Sequence, residues 1–164
     1  MFTSPQSPVT ITPENLLAWV DEGFRGIELA FKSLGKRQPY TSSWVSAGTQ
    51  PVLGDGTLVA AFVEIGSFVV VSIELTMGST TTYGTNSYSF KLPRAPVNVA
   101  PEWMGAVEFF DTSAGARFPG AVRAIGGVAN ASPIAASGNN MAPTVPFTWA
   151  VGDKMKLTVG YPVQ

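Results

Sequence analysis

The chain has eleven Asp and Glu residues but no histidine and no cysteine. That removes the usual general base, the thiol nucleophile and the common zinc ligands together. Glycosidase chemistry would need two carboxyl groups about 5 to 9.5 Å apart across a cleft. Glu64, Glu74, Glu102, Glu108, Asp111 and Asp153 are instead scattered, with no spacing that pairs any two. Asp55 in Gly-Asp-Gly and Asp153 in Val-Gly-Asp are oxygen donors for a hard cation, but such a site takes six or more oxygens, and no EF-hand-like spacing is present. Both sit where Asp and Gly make turns, which is the reading preferred here. The glycines of GAVRAIGG, residues 120–127, form no phosphate-binding motif leading into a helix. The expectation is a non-enzymatic chain with no catalytic residue, no metal and no cofactor.

Recognition chemistry is left to the aromatics. An aromatic face covers the apolar side of a sugar ring while a polar tip hydrogen bonds, which singles out Trp44, Trp103, Trp149, Tyr83, Tyr88 and Tyr161. Trp149, inside the strand-like PFTWAV, reads as core. Tyr83, in the polar loop GSTTTYG, is the first candidate for an exposed contact, with Tyr88 and Trp103 beside it as possible ligand contacts.

Two elements must position these residues. The first is a helix, expected over about 13–34. Thr12 suits its N-cap, Pro13 its first position, Glu14 the positive end of its dipole and Gly35 its stop. Leu17, Val20, Phe24, Ile27, Phe31 and Leu34 follow a 3-4 spacing, the a/d stripe of a short coiled coil. Leu16, Gly23 and Ala30 widen that stripe on one flank, which points to three copies rather than two. Over two and a half heptads, periods of 3.5 and 3.6 do not separate, so the same stripe also fits an amphipathic helix docked on its own domain. Residues 1–11, with two prolines and several hydroxyl side chains, read as an extended arm that docks on a partner.

After a short linker at 36–39, residues 40–164 carry β-type pattern. Thr57 to Ile65 alternates, with Val59, Ala61, Val63 and Ile65 on one face. Gly66 and Ser67 suit a two-residue turn, and Phe68 to Met77 returns with Val69, Val71, Ile73 and Leu75 aligned. Further strands are expected over Asn86 to Leu92, Trp103 to Phe110, Pro119 to Gly127, Pro146 to Val151 and Lys154 to Tyr161, with a long Ala/Ser/Gly/Asn stretch at 129–142 between them. Seven or eight strands with short turns predict a mainly β fold, a jelly-roll-like antiparallel sandwich of two sheets, with a closed barrel as the alternative.

Composition narrows the partners. Only 13% of residues are charged, the net charge is −1, and the densest basic pair is Lys36 with Arg37, so nucleic acid is not an expected partner. The apolar runs, Phe68 to Val71 among them, are far too short to span a bilayer, and the N-terminus lacks the pattern of a secretory signal. A weakly charged β-protein must cover its edges, and contacts between copies are one way to do so.

From Tyr40 to Pro93 the order is a Trp (Trp44), Pro-x-Leu-Gly-x-Gly-Thr-Leu (Pro51 to Leu58), an Ile-Gly hairpin (Ile65, Gly66), a Gly-Ser-Thr-Thr loop (Gly78 to Thr81) and a strand closing on Leu92-Pro93. Val145 to Tyr161, VPFTWAVGDKMKLTVGY, supplies a closing hairpin. This order resembles a β-module of minor tail and tail-fibre proteins of tailed bacteriophages. The resemblance implies a trimeric distal head touching the host surface, in a virion assembled in the host cytoplasm. Three partners are therefore expected: sister copies in a homotrimer, another virion protein through the arm, and a host-surface glycan. A capsid decoration trimer is the alternative that uses the same arm, helix and β-domain.

Overall fold

Nine strands pair into one antiparallel sheet among the residues described by the structure, a computed structural model that describes residues 20–26, 35–99 and 102–164. In chain order they are β1 (Gln38–Pro39), β2 (Trp44–Ser46), β3 (Thr57–Ile65), β4 (Phe68–Thr76), β5 (Tyr88–Lys91), β6 (Trp103–Asp111), β7 (Ala116–Ala124), β8 (Asn130–Ala135) and β9 (Lys154–Pro162). The chain divides into two units, Met1–Leu34 and Gly35–Gln164, and all nine strands belong to the second.

Pairing runs β1-β3-β4-β9-β6-β7-β8-β5-β2 without a break. A flat sheet of that width would place β1 and β2 about 38 Å apart at about 4.8 Å per strand. Only Tyr40 to Ser43 joins them, and the five steps from Pro39 to Trp44 reach at most about 18 Å. The sheet must therefore curl until its two edges meet. The strap is held at both sides: the Tyr40 backbone N–H donates to the carbonyl of Ala60 in β3, while the Tyr40 and Ser42 hydroxyls both donate to the carbonyl of Lys91 in β5. The two separate sheets of the expected sandwich are thus replaced by one curled sheet around a single core. The linker expected at 36–39 contains β1, which pairs with β3 through Gln38–Phe62 and Pro39–Ala61.

One face of the sheet lines that core. β4 buries Val69, Val71, Ile73 and Leu75, and β9 buries Met155, Leu157, Val159 and Tyr161, the strict alternation of strands wet on one face. Tyr88, Phe90, Phe109, Val122 and Ala131 complete it from the strands beyond.

The β3–β4 hairpin turns at Gly66, whose φ of +60° lies in the left-handed region where glycine carries no Cβ penalty. That turn pairs Ile65 with Phe68, which settles the phase of β3. Directly opposed residues share a face, so Leu58, Ala60 and Phe62 sit beside core residues of β4, and Val59, Ala61, Val63 and Ile65 belong to the outer face, where the small Ala61 is nonetheless covered. The face that carries Val59, Ala61, Val63 and Ile65 is thus the outer one. Val59 and Ile65 are 56% and 54% exposed.

Two other segments also differ from the sequence reading. Pro146 to Val151 forms no strand; Trp149 is buried there through its side chain, with its indole N–H donating to the carbonyl of Val145 at 3.1 Å. The expected loop at 129–142 contains β8, whose Ala131 and Ala135 are small enough to lie beneath larger core neighbours.

Candidate functional site

The first unit's described residues are a helix over 20–26. On it Val20 and Phe24 are exposed, Phe24 at 65%, and Asp21 pairs with Arg25 one turn on at 3.3 Å. Leu17, Ile27, Phe31 and Leu34, the N-terminal cap residues Thr12, Pro13 and Glu14, and the arm over 1–11 lie outside the described residues.

The aromatic contacts expected from the sequence do not form a site. Tyr88 is fully buried in β5, edge-on to Trp44 with centroids 5.0 Å apart, and its hydroxyl donates to the carbonyl of Tyr83. Burial pushes that hydroxyl's pKa well above the ordinary tyrosine value. Alternation with Phe90 puts Tyr88 on the core face, so it is not a ligand contact. Tyr83 is half-buried against the core rather than standing at a loop tip, and its pKa is raised by burial and then by the negative charge of Asp153. Trp103 also packs on the core, at the opposite end of β6 from the Asp153 turn, about 27 Å along a nine-residue strand. Trp44, Trp149 and Tyr161 are all buried.

Both turn aspartates organise backbone. Asp55 accepts hydrogen bonds from the hydroxyls of Ser79 and Thr80 and from the Thr80 N–H, fastening the β2–β3 loop to the loop after β4. These donors hold its pKa at about 2, below the ordinary 3.8. A depressed carboxylate stabilises the fold above its unfolded pKa and loses that contribution as pH falls through the folded one. The expected result is that unfolding midpoints of the native chain fall between about pH 4 and about pH 2 more steeply than those of Asp55→Asn. Thermal unfolding followed by circular dichroism across that range checks it; parallel curves would show the loop contacts to be unimportant.

The outer face of the sheet is split by character. Glu74 of β4, Lys156 of β9, Glu108 of β6 and Arg117 of β7 form a row of alternating charge, with Lys156–Glu74 at 3.4 Å and Arg117 paired to Glu108. Arg117 also lies over the Phe110 ring, 4.5 Å from its centroid. Towards the hairpin turn the same face becomes apolar, with Ile65, Phe68 and Val70 exposed, while Val59, also exposed, lies at the other end of β3 opposite Glu74. A contiguous apolar strip on the wet side of a sheet marks an interaction surface.

A groove of about 360 Å³ lies where β7 meets the turn after β8 and the 145–146 segment. Phe118, Pro119, Val145 and Pro146 contribute its apolar walls, and Ser137 and Asn139 stand exposed on it. Phe118 packs at a tilt against Phe147 with centroids 5.2 Å apart, Phe147 likewise against Trp149 at 4.8 Å, and Trp149 meets the edge of Phe109 at 6.1 Å. The turn is shaped by backbone bonds from Ala135 N–H to the Asn139 carbonyl and from Gly138 N–H to the Ala135 carbonyl, each 2.8 Å. Sequence reasoning missed this constellation because Pro119 interrupts the pattern around Phe118. The one available signal was the aromatic pair in PFTWAV.

Over an alignment of 134 residues, covering 77% of this chain, the sequence is 29% identical to the Mu-like prophage FluMu defective tail fiber protein of Haemophilus influenzae. The alignment covers 21% of that relative, so the chain spans about a fifth of its length. No family model matches the chain, and no solved structure matches it. The chain, a mainly β protein built on one curled antiparallel sheet, is distantly related to a phage tail-fibre protein.

Proposed function

We propose that this chain is a non-enzymatic structural component of a phage tail fibre that presents its curled β-unit to the host cell surface. The similarity to a prophage tail-fibre protein carries this reading. In it, sister copies join as a homotrimer through the N-terminal apolar stripe, the arm over 1–11 attaches to a neighbouring virion protein, and the β-unit contacts host-surface carbohydrate. The protein is then a virion component assembled in the host cytoplasm. Several copies on one particle turn weak single contacts into firm attachment by raising effective concentration. The turn-rich sheet, in a chain with 17 glycines and few charges, suits a display unit whose loops are held by backbone and hydroxyl hydrogen bonds. Gold-labelled antibody against the purified protein is expected on the tails of intact virions and is expected to block adsorption to host cells. Label confined to the head shell would overturn the reading.

The trimer is tested separately. Val20 and Phe24 are exposed on the helix and occupy d and a positions of the stripe. Light scattering on the full chain is expected to give three times the chain mass. The double substitution Val20→Asp with Phe24→Asp is expected to reduce it to one, because buried unpaired charge at an a/d seam costs several kcal/mol, of order 2–3 per site. An unchanged mass would place the subunit contact elsewhere.

A further inference from the structure

We infer that the groove between β7, the turn after β8 and the 145–146 segment is a binding site for one neutral pyranose residue of a surface glycan. The inference rests on the host-facing reading above and gives it a location that Tyr83, Tyr88 and Trp103 do not provide.

The floor is preorganised. Phe118 cannot swing freely because its ring is packed at a tilt against Phe147, which is packed in turn against the buried Trp149. A ligand that covers Phe118 therefore orders little on arrival, which removes one of the usual costs of binding. Val145 and Pro146 extend this apolar surface from the side.

The polar groups are few and placed at the rim. Asn139 and Ser137 are exposed, and their mutual contact, Asn139 Nδ2 to Ser137 Oγ at 3.4 Å, is too long to occupy either group firmly. One amide and one hydroxyl offer donors and acceptors of both kinds. An apolar floor with a small polar rim matches a pyranose, whose C–H face is apolar and whose periphery carries hydroxyls.

Charge selects among sugars. Among the described residues no ionisable side chain lines the groove, whereas Glu108, Arg117, Lys154 and Lys156 cluster on the outer face of the sheet. An acidic sugar entering the groove would lose hydration without meeting a cation, so the complementary ligand is uncharged. A volume near 360 Å³ stands at the low end of the roughly 300–1,000 Å³ typical of small-molecule sites, which fits one ring rather than an extended chain. A peptide strand would call for an open sheet edge beside the groove, but β7 and β8 pair with each other there through Gly120–Ala135 and Ala121–Ile134.

The test uses the full chain with the free methyl glycosides of glucose, galactose, mannose and N-acetylglucosamine, and N-acetylneuraminic acid as the charged comparison. Saturation-transfer NMR and tryptophan fluorescence, which Trp149 supplies beside the floor, are the readouts. At least one neutral glycoside is expected to bind at about millimolar strength, as small polar ligands do, and N-acetylneuraminic acid is not. Asn139→Ala, an exposed site that leaves the fold intact, is expected to weaken binding about tenfold, the loss of one or two hydrogen bonds. Phe118→Leu is expected to abolish it. Absence of binding by every neutral glycoside, or full binding by Asn139→Ala and Phe118→Leu together, would overturn the site. Adsorption of the same proteins to host cells separates the two readings: cells that bind the native chain and Asn139→Ala equally refute the groove and leave the host-facing role standing.

Discussion

Phe109→Ala is expected to lower the stability of the β-unit by about 3–5 kcal/mol, the usual cost of removing a large aromatic side chain from a packed core. Phe109 is completely buried on β6, paired across to Phe118 of β7 and Met155 of β9, with Trp149 packed against its ring. Truncation there leaves a void bounded by Trp149, and Trp149 supports Phe147, so the loss spreads to the groove. A domain of this size has about 5–15 kcal/mol in all, which makes partial unfolding at ambient temperature an expected phenotype. The neighbouring Phe110 is the internal control. It points outward, is half-exposed and lies under the Arg117 guanidinium, so Phe110→Ala is expected to cost about 1 kcal/mol or less. Urea unfolding followed by circular dichroism compares the two. Equal midpoints would mean that β6 presents its other face to the core.

Strands were legible where one face is apolar and the other polar. β9 reads Lys-Met-Lys-Leu-Thr-Val-Gly-Tyr-Pro, and its alternation fixes both existence and phase without reference to any partner. β3 reads Thr-Leu-Val-Ala-Ala-Phe-Val-Glu-Ile, apolar on both faces, so its phase is decided by the turn that pairs Ile65 with Phe68. Several apolar residues of the outer face then remain unburied within the β-unit, which is why Val59 and Ile65, at the two ends of β3, belong to a surface and not a core. β8 was hidden because Asn-Ala-Ser-Pro-Ile-Ala has loop composition, and its pairing with β7 and β5 supplies the stability its propensity lacks. Which strands come together where the sheet curls was not readable. It depends on the strap from Tyr40 to Ser43 joining strands at opposite ends of the pairing order, a long-range relation with no local signature. The candidate site failed for a related reason. Tyr83 looked available from loop composition, whereas burial of Tyr88 follows from its position two residues before Phe90 in the strand expected over Asn86 to Leu92. Phe118 and Asn139 come together only through tertiary packing.

Asp153→Ala is expected to cost about 3 kcal/mol, an effect comparable to the core truncation although it removes a polar group. Asp153 is almost completely buried and its carboxylate accepts two backbone hydrogen bonds, from Thr112 N–H at 2.9 Å and Ala150 N–H at 2.7 Å. The turn it closes places Gly152 at φ +87°, and Gly152 N–H donates to the carbonyl of Met77 while its own carbonyl accepts from the Thr112 hydroxyl. The Asp153 carbonyl then accepts from Met77 N–H, so one turn ties the end of β4, the end of β6 and the start of β9 together. Without the carboxylate two N–H groups lose their charged acceptor, and each such loss in a partly buried site is worth about 1–3 kcal/mol. Asp153→Asn keeps one oxygen acceptor but turns an amide NH2 towards the other backbone donor, so it is expected to recover about half of the loss and no more. Hydrogen exchange gives the decisive reading: protection at Thr112 and Ala150 falls in both variants while that at Val71, in the middle of β4, falls only as far as global stability does. Equal loss at all three amides would make Asp153 a contributor to general stability rather than the clasp of that end of the sheet.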